Sequence, residues 1–429
     1  MIRALLRFSA LGLALAAAPA LAQQATVIAI PPLTTPSVGD QANTDLAIAW
    51  QATQLIASDL RATSELLPLS PNQKDYYSYP EVTAPSFPKW RAAGAKALVT
   101  GFVRTGADGR LTFGCYIYDA TSGRELGRKG FVVGTEDWRR AAHKCSGLAY
   151  QSVTGAPGMF DTRIAYVAET GNAPNVVRRI AVMDSDGFSH DYATQGETMV
   201  LSPRLSSKAR TLAFVSYTGG SPHIRILDLE SKRISSLLAG DPISFSPRFS
   251  PDGRKIAFTM LEGTNPDIYI ADANGGPPVR LTSAPGTDTA PSFSPDGTKI
   301  VFESDRSGSQ QLYVMDVTGA NQRRLSFGGG WYASPAWSPD GESIAFVSRS
   351  SGGRRIGIMR ADGSGEKTLT SGRTDDSPAW AASSRELVFE RTDANGRPGL
   401  QRVTLDGSEP RAMSIPQPGS DPDWSGVVD

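Results

Sequence analysis

Side chains able to do chemistry are few in this chain and badly placed for it. The three histidines, His143, His190 and His223, stand in separate regions without ligand spacing, so the sequence carries no zinc signature and no metal site is expected. No Gly-x-Ser-x-Gly elbow occurs, which leaves serine hydrolysis without its nucleophile turn. Asp252-Gly253, Asp296-Gly297 and Asp340-Gly341 are adjacent pairs, whereas a sialidase-type Asp box has a residue between the two. They read as turn formers. Asp272 and Asp316 could bind calcium, but they recur one per repeat and well apart, and turn capping is the favoured role. Arg204 and Arg248 could hold an anion; pairing with Asp423 or Asp252 is the favoured fate. No catalytic residue and no cofactor is assigned, and the chain is not read as an enzyme.

The elements that would position a site are far more legible. Ser246-Pro-Arg-Phe-Ser-Pro-Asp-Gly-Arg-Lys-Ile-Ala-Phe258 returns as Ala290–Phe302 and Ser334–Phe346, with weaker copies from Ser202 and Ser377 and a last one at Asp421-Pro-Asp-Trp-Ser425. The prolines Pro203, Pro247, Pro291, Pro335, Pro378 and Pro422 recur every 44 or 43 residues. That period, built of short apolar runs and turn residues, marks β-propeller blades. Each unit reads as four antiparallel strands: a Ser-Pro strand, a Ser-Pro-Asp-Gly turn, an Ile-Ala-Phe strand and two more strands.

The Ile-Ala-Phe strand also occurs six times, from Ile164 to Leu387, but the first copy lacks a Ser-Pro strand and the last Ser-Pro strand lacks an Ile-Ala-Phe partner. One orphan completes the other. Six blades are therefore predicted, with the C-terminal segment as the innermost strand of the first blade and Trp424 buried between blades. Closure of the ring removes exposed strand edges.

Residues 1–22 read as a cleaved signal peptide: Arg3 and Arg7, an apolar run from Leu11 to Ala18, and Ala20-Leu-Ala22 as cleavage site. The run is too short to span a bilayer, and export to an oxidising compartment is expected. Charge is balanced, 43 basic against 43 acidic residues, so neither nucleic acid nor an anionic membrane surface is indicated as partner. Residues 23–157 lack the repeat and read as a small α/β domain, with 158–429 as the propeller. In the first domain, strands are predicted at 26–30, 65–69, 97–104, 110–118 and 124–133. Helices are predicted at 44–63, with Leu46, Trp50, Thr53, Ile56 and Leu60 on one stripe, and at 88–93. A last one, capped by Thr135, runs to about Val153. Cys115 and Cys145 both lie here; a disulfide is favoured over two free thiols. Closing a loop of about thirty residues would contribute some 3–4 kcal/mol.

What remains is a surface. The loops leading into the inner strands surround one mouth of the channel, and they differ from blade to blade while the anchors after them hardly change. Variable loops on a repeated scaffold suit binding. The candidate partner-binding residues are Ser244, Phe245, Asp288, Thr289, Trp331, Tyr332, Asp375 and Asp376. Asp288, Asp375 and Asp376 are expected to be exposed acids around one opening. The alternative is a secreted propeller hydrolase or lyase acting on peptide or glycan in the channel.

A signal peptide, a small α/β domain ending in a helix, six Ser-Pro-x-Phe/Trp-Ser-Pro-Asp-Gly blades, and Phe160-Asp-Thr-Arg-Ile-Ala-Tyr-Val167 leading into the first blade together resemble the TolB family of periplasmic Tol-Pal proteins. The resemblance covers essentially the whole chain after residue 22. It implies a monomeric, non-catalytic adaptor that binds the peptidoglycan-associated lipoprotein Pal at the propeller mouth and supports outer-membrane integrity and constriction at division. It also implies contact with the inner-membrane protein TolA through the N-terminal segment, here Gln23 to Ala25.

Overall fold

The computed structural model describes residues 25–63, 65–70, 72, 77–171, 174–196, 198–406 and 408–428. The signal peptide expected at 1–22 lies outside the described residues. The chain divides into two compact units, 1–156 and 157–429.

The first unit is built on a five-stranded sheet. Its strands are β1 (Thr26–Ala29), β2 (Leu66–Pro68), β3 (Ala97–Thr105), β4 (Leu111–Asp119) and β5 (Glu125–Val133), in the order β2-β1-β3-β4-β5. The first three strands run parallel and the rest form an antiparallel meander. Helices α1 (Asp40–Arg61), α2 (Pro88–Ala92) and α3 (Trp138–Thr154) complete it. On α1 the buried stripe is Asp45, Ala49, Ala52, Thr53, Ile56, Asp59 and Leu60, so it takes in two acids beside the apolar residues. Both acids are hydrogen-bonded, as burial demands. Asp45 accepts from the Thr105 hydroxyl at 2.6 Å and backbone N–H at 3.1 Å, and Asp59 from the Ser146 hydroxyl at 2.6 Å. Asp45 ties the helix start to the end of β3, and α1 accordingly begins four residues before the expected Thr44.

Thr135 does not cap α3. It sits in a 3-10 turn (Thr135–Asp137), and Asp137 holds the N-cap position without a side-chain hydrogen bond. Cys115 on β4 and Cys145 on α3 are disulfide-bonded, with Cα atoms 5.8 Å apart and neither residue exposed. Replacing both by Ala is expected to cost about 3–4 kcal/mol, read as a denaturation midpoint that matches the reduced parent and falls below the oxidised one.

The second unit is a six-bladed propeller of four-stranded antiparallel sheets. Five blades take consecutive strands, and their inner strands are Val200–Leu205, Ser244–Phe249, Asp288–Phe293, Trp331–Trp337 and Asp375–Trp380. In the remaining blade the C-terminal strand Gly419–Val427 pairs antiparallel with Thr162–Thr170, placing Trp424 opposite Ile164. The ring closes as predicted. Six apolar clusters fill the six seams; in one, Ile268, Ile270 and Leu281 of one blade meet Phe293, Ile300, Phe302 and Met315 of the next. The repeated aromatic of the second strand is fully buried at Tyr166, Phe258, Phe302, Phe346 and Phe389. That accounts for the rigid period: each seam needs one large ring at the same height.

Trp424 departs from expectation. It is half-buried, its indole N–H donating to the Thr162 hydroxyl at 2.9 Å and the Arg402 guanidinium lying 4.5 Å from its ring centre. The final seam is thus sealed in part by a cation–π contact.

Candidate functional site: the propeller channel and its mouth

Each inner strand carries an irregularity at its Ser-Pro step, as between Phe245 and Arg248 or Ser420 and Asp423. The residue before each proline is left-handed: Ser202 (φ 50), Ser246 (φ 52), Ala290 (φ 50), Ser334 (φ 49), Ser377 (φ 52) and Asp421 (φ 49). Non-glycine residues rarely adopt this conformation. Such strain persists only where the surroundings over-determine it, and bulges of this kind re-aim the chain. All six residues line one cavity of about 220 Å³ in the channel, with Arg204, Phe245, Arg248, Thr289 and Glu303.

Carboxylates hold several of these bulges. The N–H of Ser334 donates to Glu303, that of Asp421 to Glu390 at 3.3 Å, and that of Ser202 to Asp421 at 3.3 Å. Glu303 and Glu390 occupy equivalent positions, each directly after the buried Phe302 or Phe389, and each reaches across to the following blade. Burial pushes Glu303 up to about 7, against the hydrogen bonds from Ser334, Thr289 and Gln310 that oppose it. Burial, with Asp421 nearby, pushes Glu390 up to about 7 as well. Burial also raises Asp376, outweighing the Arg354 guanidinium beside it.

These shifts have a definite sign. Between the ordinary glutamate range and pH 7 the folded chain holds protons that the unfolded chain has released. The stabilisation is therefore complete below about pH 4.5 and is lost as pH rises through 7. Glu303→Gln with Glu390→Gln is expected to flatten the decline of Tm between pH 5 and pH 8, measured by scanning calorimetry.

The structure rearranges the predicted site. Phe245 and Thr289 do line the cavity, and the Thr289 hydroxyl donates to Glu303 at 3.1 Å. Trp331 is half-buried at the start of its inner strand, where it faces Arg349 across the ladder. Four residues expected at the surface are instead interior. Ser244 is buried and accepts the Ile224 N–H at 3.2 Å. Tyr332 is buried, its hydroxyl 2.9 Å from Glu366. Asp288 and Asp375 are completely buried. Asp288 pairs with Arg306 at 2.6 Å, and Asp375 with both guanidinium nitrogens of Arg391 at 2.6 and 2.9 Å. Asp376 is partly exposed and paired with Arg354. The expectation of an exposed acidic rim therefore fails: a bare carboxylate could not be buried so deeply, and each acid was matched by an arginine from its own blade or the one before.

Of the two channel arginines, one sits where the sequence puts it. Arg248 pairs with Asp423 at 2.8 Å. Burial and the neighbouring Arg204 depress it to about 10, against the pull of Asp423. Arg204 finds neither Asp252 nor Asp423; its guanidinium donates to the Pro203 carbonyl at 2.7 Å. Asp252 and Asp296 close their turns, accepting from Ser250 and Ser294 at 2.6 and 2.5 Å. Glu303 and Glu390 were missed. Their signal was an acid in a strand position that is Val in three other blades, at Val167, Val215 and Val347.

Six four-stranded blades around one channel, each with the same left-handed bulge on its inner strand, define a β-propeller protein. Comparison with known proteins narrows the class. The TolB beta propeller domain matches residues 150–428, and the TolB amino-terminal domain matches residues 20–126. This chain belongs to the TolB family. The Tol-Pal system protein TolB of Zymomonas mobilis is 46% identical over 208 residues, 48% of this chain and 45% of that protein. That of Rhizorhabdus wittichii is 45% identical over 224 residues, covering 50% and 51%. The matched region thus spans about half the length of these curated relatives. The crystal structure of TolB from Acinetobacter baumannii superposes with a TM-score of 0.76 at 28% identity, covering 94% of this chain and 97% of that one.

Proposed function

We propose that the chain is a non-catalytic periplasmic adaptor of the Tol-Pal envelope system, exported by residues 1–22, with its propeller mouth binding the lipoprotein Pal. Outer-membrane integrity and constriction at division are the processes it would support, and the N-terminal segment would contact TolA. The observation that carries this reading is the mouth itself. Loops of individual sequence, including Ile243 and Phe327 with exposed side chains, surround a channel whose inner strands share one backbone. Exposed apolar side chains rimming a rigid opening suit a protein partner.

Immobilised protein should retain purified Pal, and Phe245→Ala with Phe327→Ala should weaken that retention at least tenfold while Tm is held. Equal retention by parent and variant would move the site away from this mouth. A second reading, a hydrolase or lyase, draws on Glu303, a buried channel carboxyl near neutrality. Turnover of a glycan or peptide, abolished by Glu303→Gln, would replace the adaptor reading.

A further inference from the structure

With Asp288, Asp375 and Asp376 each paired, the fifth blade of the chain leaves arginines without a carboxylate at the same mouth. Strands within a blade alternate in direction, so hairpins joining second and third strands lie at the same end as loops leading into inner strands. In the fifth blade of the chain this end carries one continuous rung. Trp331 on the inner strand pairs with Arg349 on the second, and Arg349 with Arg354 on the third. Arg355 is the next residue along, opposite Ser348. Arg373 joins from the following loop, its carbonyl accepting the Arg354 N–H at 2.9 Å. Arg349 and Arg373 are exposed.

Asp376, bound to Arg354, is the one carboxylate in ion-pair contact with these four arginines among the described residues. At the same mouth, Arg306 of the fourth blade is matched by Asp288 and Arg391 of the sixth by Asp375. Two arginines directly opposite on neighbouring strands bring their Cβ atoms to about 5 Å and repel. A fold gains nothing from that placement. In a chain with 43 basic and 43 acidic residues, it is a local concentration of charge, not a general one.

We propose that this rung, Trp331 with Arg349, Arg354, Arg355 and Arg373, is a docking surface for an acidic protein segment. Guanidinium forks take carboxylates two hydrogen bonds at a time. Tryptophan and arginine are also the side chains that most often dominate protein interfaces. The patch is one blade wide, which fits a short run of Asp or Glu and not an extended polyanion. Its position at the mouth deepens the adaptor reading and rests on it for the identity of the partner.

The test compares the parent with Arg349→Glu plus Arg373→Glu, and with Arg254→Glu plus Arg360→Glu at the opposite blade end. The probes are purified Pal, an alternating Glu-Gly peptide and phosphatidylglycerol vesicles, each across a salt series by calorimetry or sedimentation. The mouth reversal converts a like-charge cross-strand pair into an opposite one, so its Tm should hold or rise. Expected is at least a tenfold loss of Pal and peptide affinity at low salt, a flattened salt dependence, and no loss in the opposite-end variant. Equal Pal binding by parent and mouth variant at every salt overturns the proposal. Should Pal bind neither, the Pal reading fails on its own and the peptide decides. Salt-sensitive peptide binding lost on reversal upholds the acidic-segment surface, and no binding to the parent overturns it. Binding of vesicles alone overturns it in favour of a lipid surface.

Discussion

Ending the chain at Pro418 should abolish the cooperative unfolding transition of the propeller. The lost strand, Gly419–Val427, is held on three sides. It pairs with Thr162–Thr170 along its length. Asp423 accepts the Leu205 N–H at 2.8 Å from the second blade and holds Arg248 of the third at 2.8 Å. Asp421 accepts from Ser202 on one side and from the Ser377 hydroxyl at 3.0 Å on the other. Truncation leaves the partly buried Arg248 without its carboxylate and exposes the edge of Thr162–Thr170 together with the seam around Tyr166. Point changes should grade the effect. Asp423→Ala removes the carboxylate that holds Arg248, whose side chain keeps 22% of its surface exposed, and should cost about 2–3 kcal/mol. Trp424→Ala should cost about 2 kcal/mol, below the range for a fully buried Trp, because its ring is half-exposed. Calorimetry reads all three. A truncated chain that melts like the parent would mean the ring holds without its closing strand.

The architecture was legible because a propeller repeats its physics. Pro247, Pro291 and Pro335 recur at one spacing since every seam needs an aromatic ring at one height, and the orphan strands at Ile164 and Pro422 could belong only to each other. In the α/β unit, β3, β4 and β5 appeared within a residue of their observed ends because Gly106, Gly109 and Gly123 mark the turns. The start of α1 was not legible. Asp45 looks like a surface acid in sequence, and only the arrival of Thr105 from β3 makes it an interior anchor.

The site was less readable, for a related reason. Periodicity reports which positions are equivalent, not which way a side chain turns when the strand bulges. The left-handed Ser, Ala or Asp before each proline leaves no mark that distinguishes it from an ordinary strand start, since prolines normally follow extended residues. The pairing of Asp375 with Arg391 joins residues on adjacent strands through their ladder register, Asp375 opposite Arg391. That register follows from the bulge, and so was hidden with it. Counting acids near the mouth could not show that each had a matching arginine.

Replacing Asp288 and Asp375 by Asn should therefore destabilise the propeller, where an acidic rim would have predicted indifference. Both carboxylates are completely buried, while Arg306 and Arg391 retain some contact with solvent, their side chains 16% and 28% exposed. Removing the carboxylate leaves a guanidinium that can recover part of its hydration, so each change should cost about 2–3 kcal/mol, less than for a wholly buried pair. The Asp375–Arg391 pair should sit at the upper end, since it makes two parallel hydrogen bonds. The two sites lie on different blades with no shared partner, so the double variant should be close to additive, lowering Tm by on the order of 10–15 °C. Asp376→Asn is the contrast. Burial already raises that carboxyl, so its charge is costly to keep, and Tm should move little. Calorimetry of the three variants at neutral pH separates the cases: a double variant as stable as Asp376→Asn would return Asp288 and Asp375 to the surface role that their place in the sequence suggests.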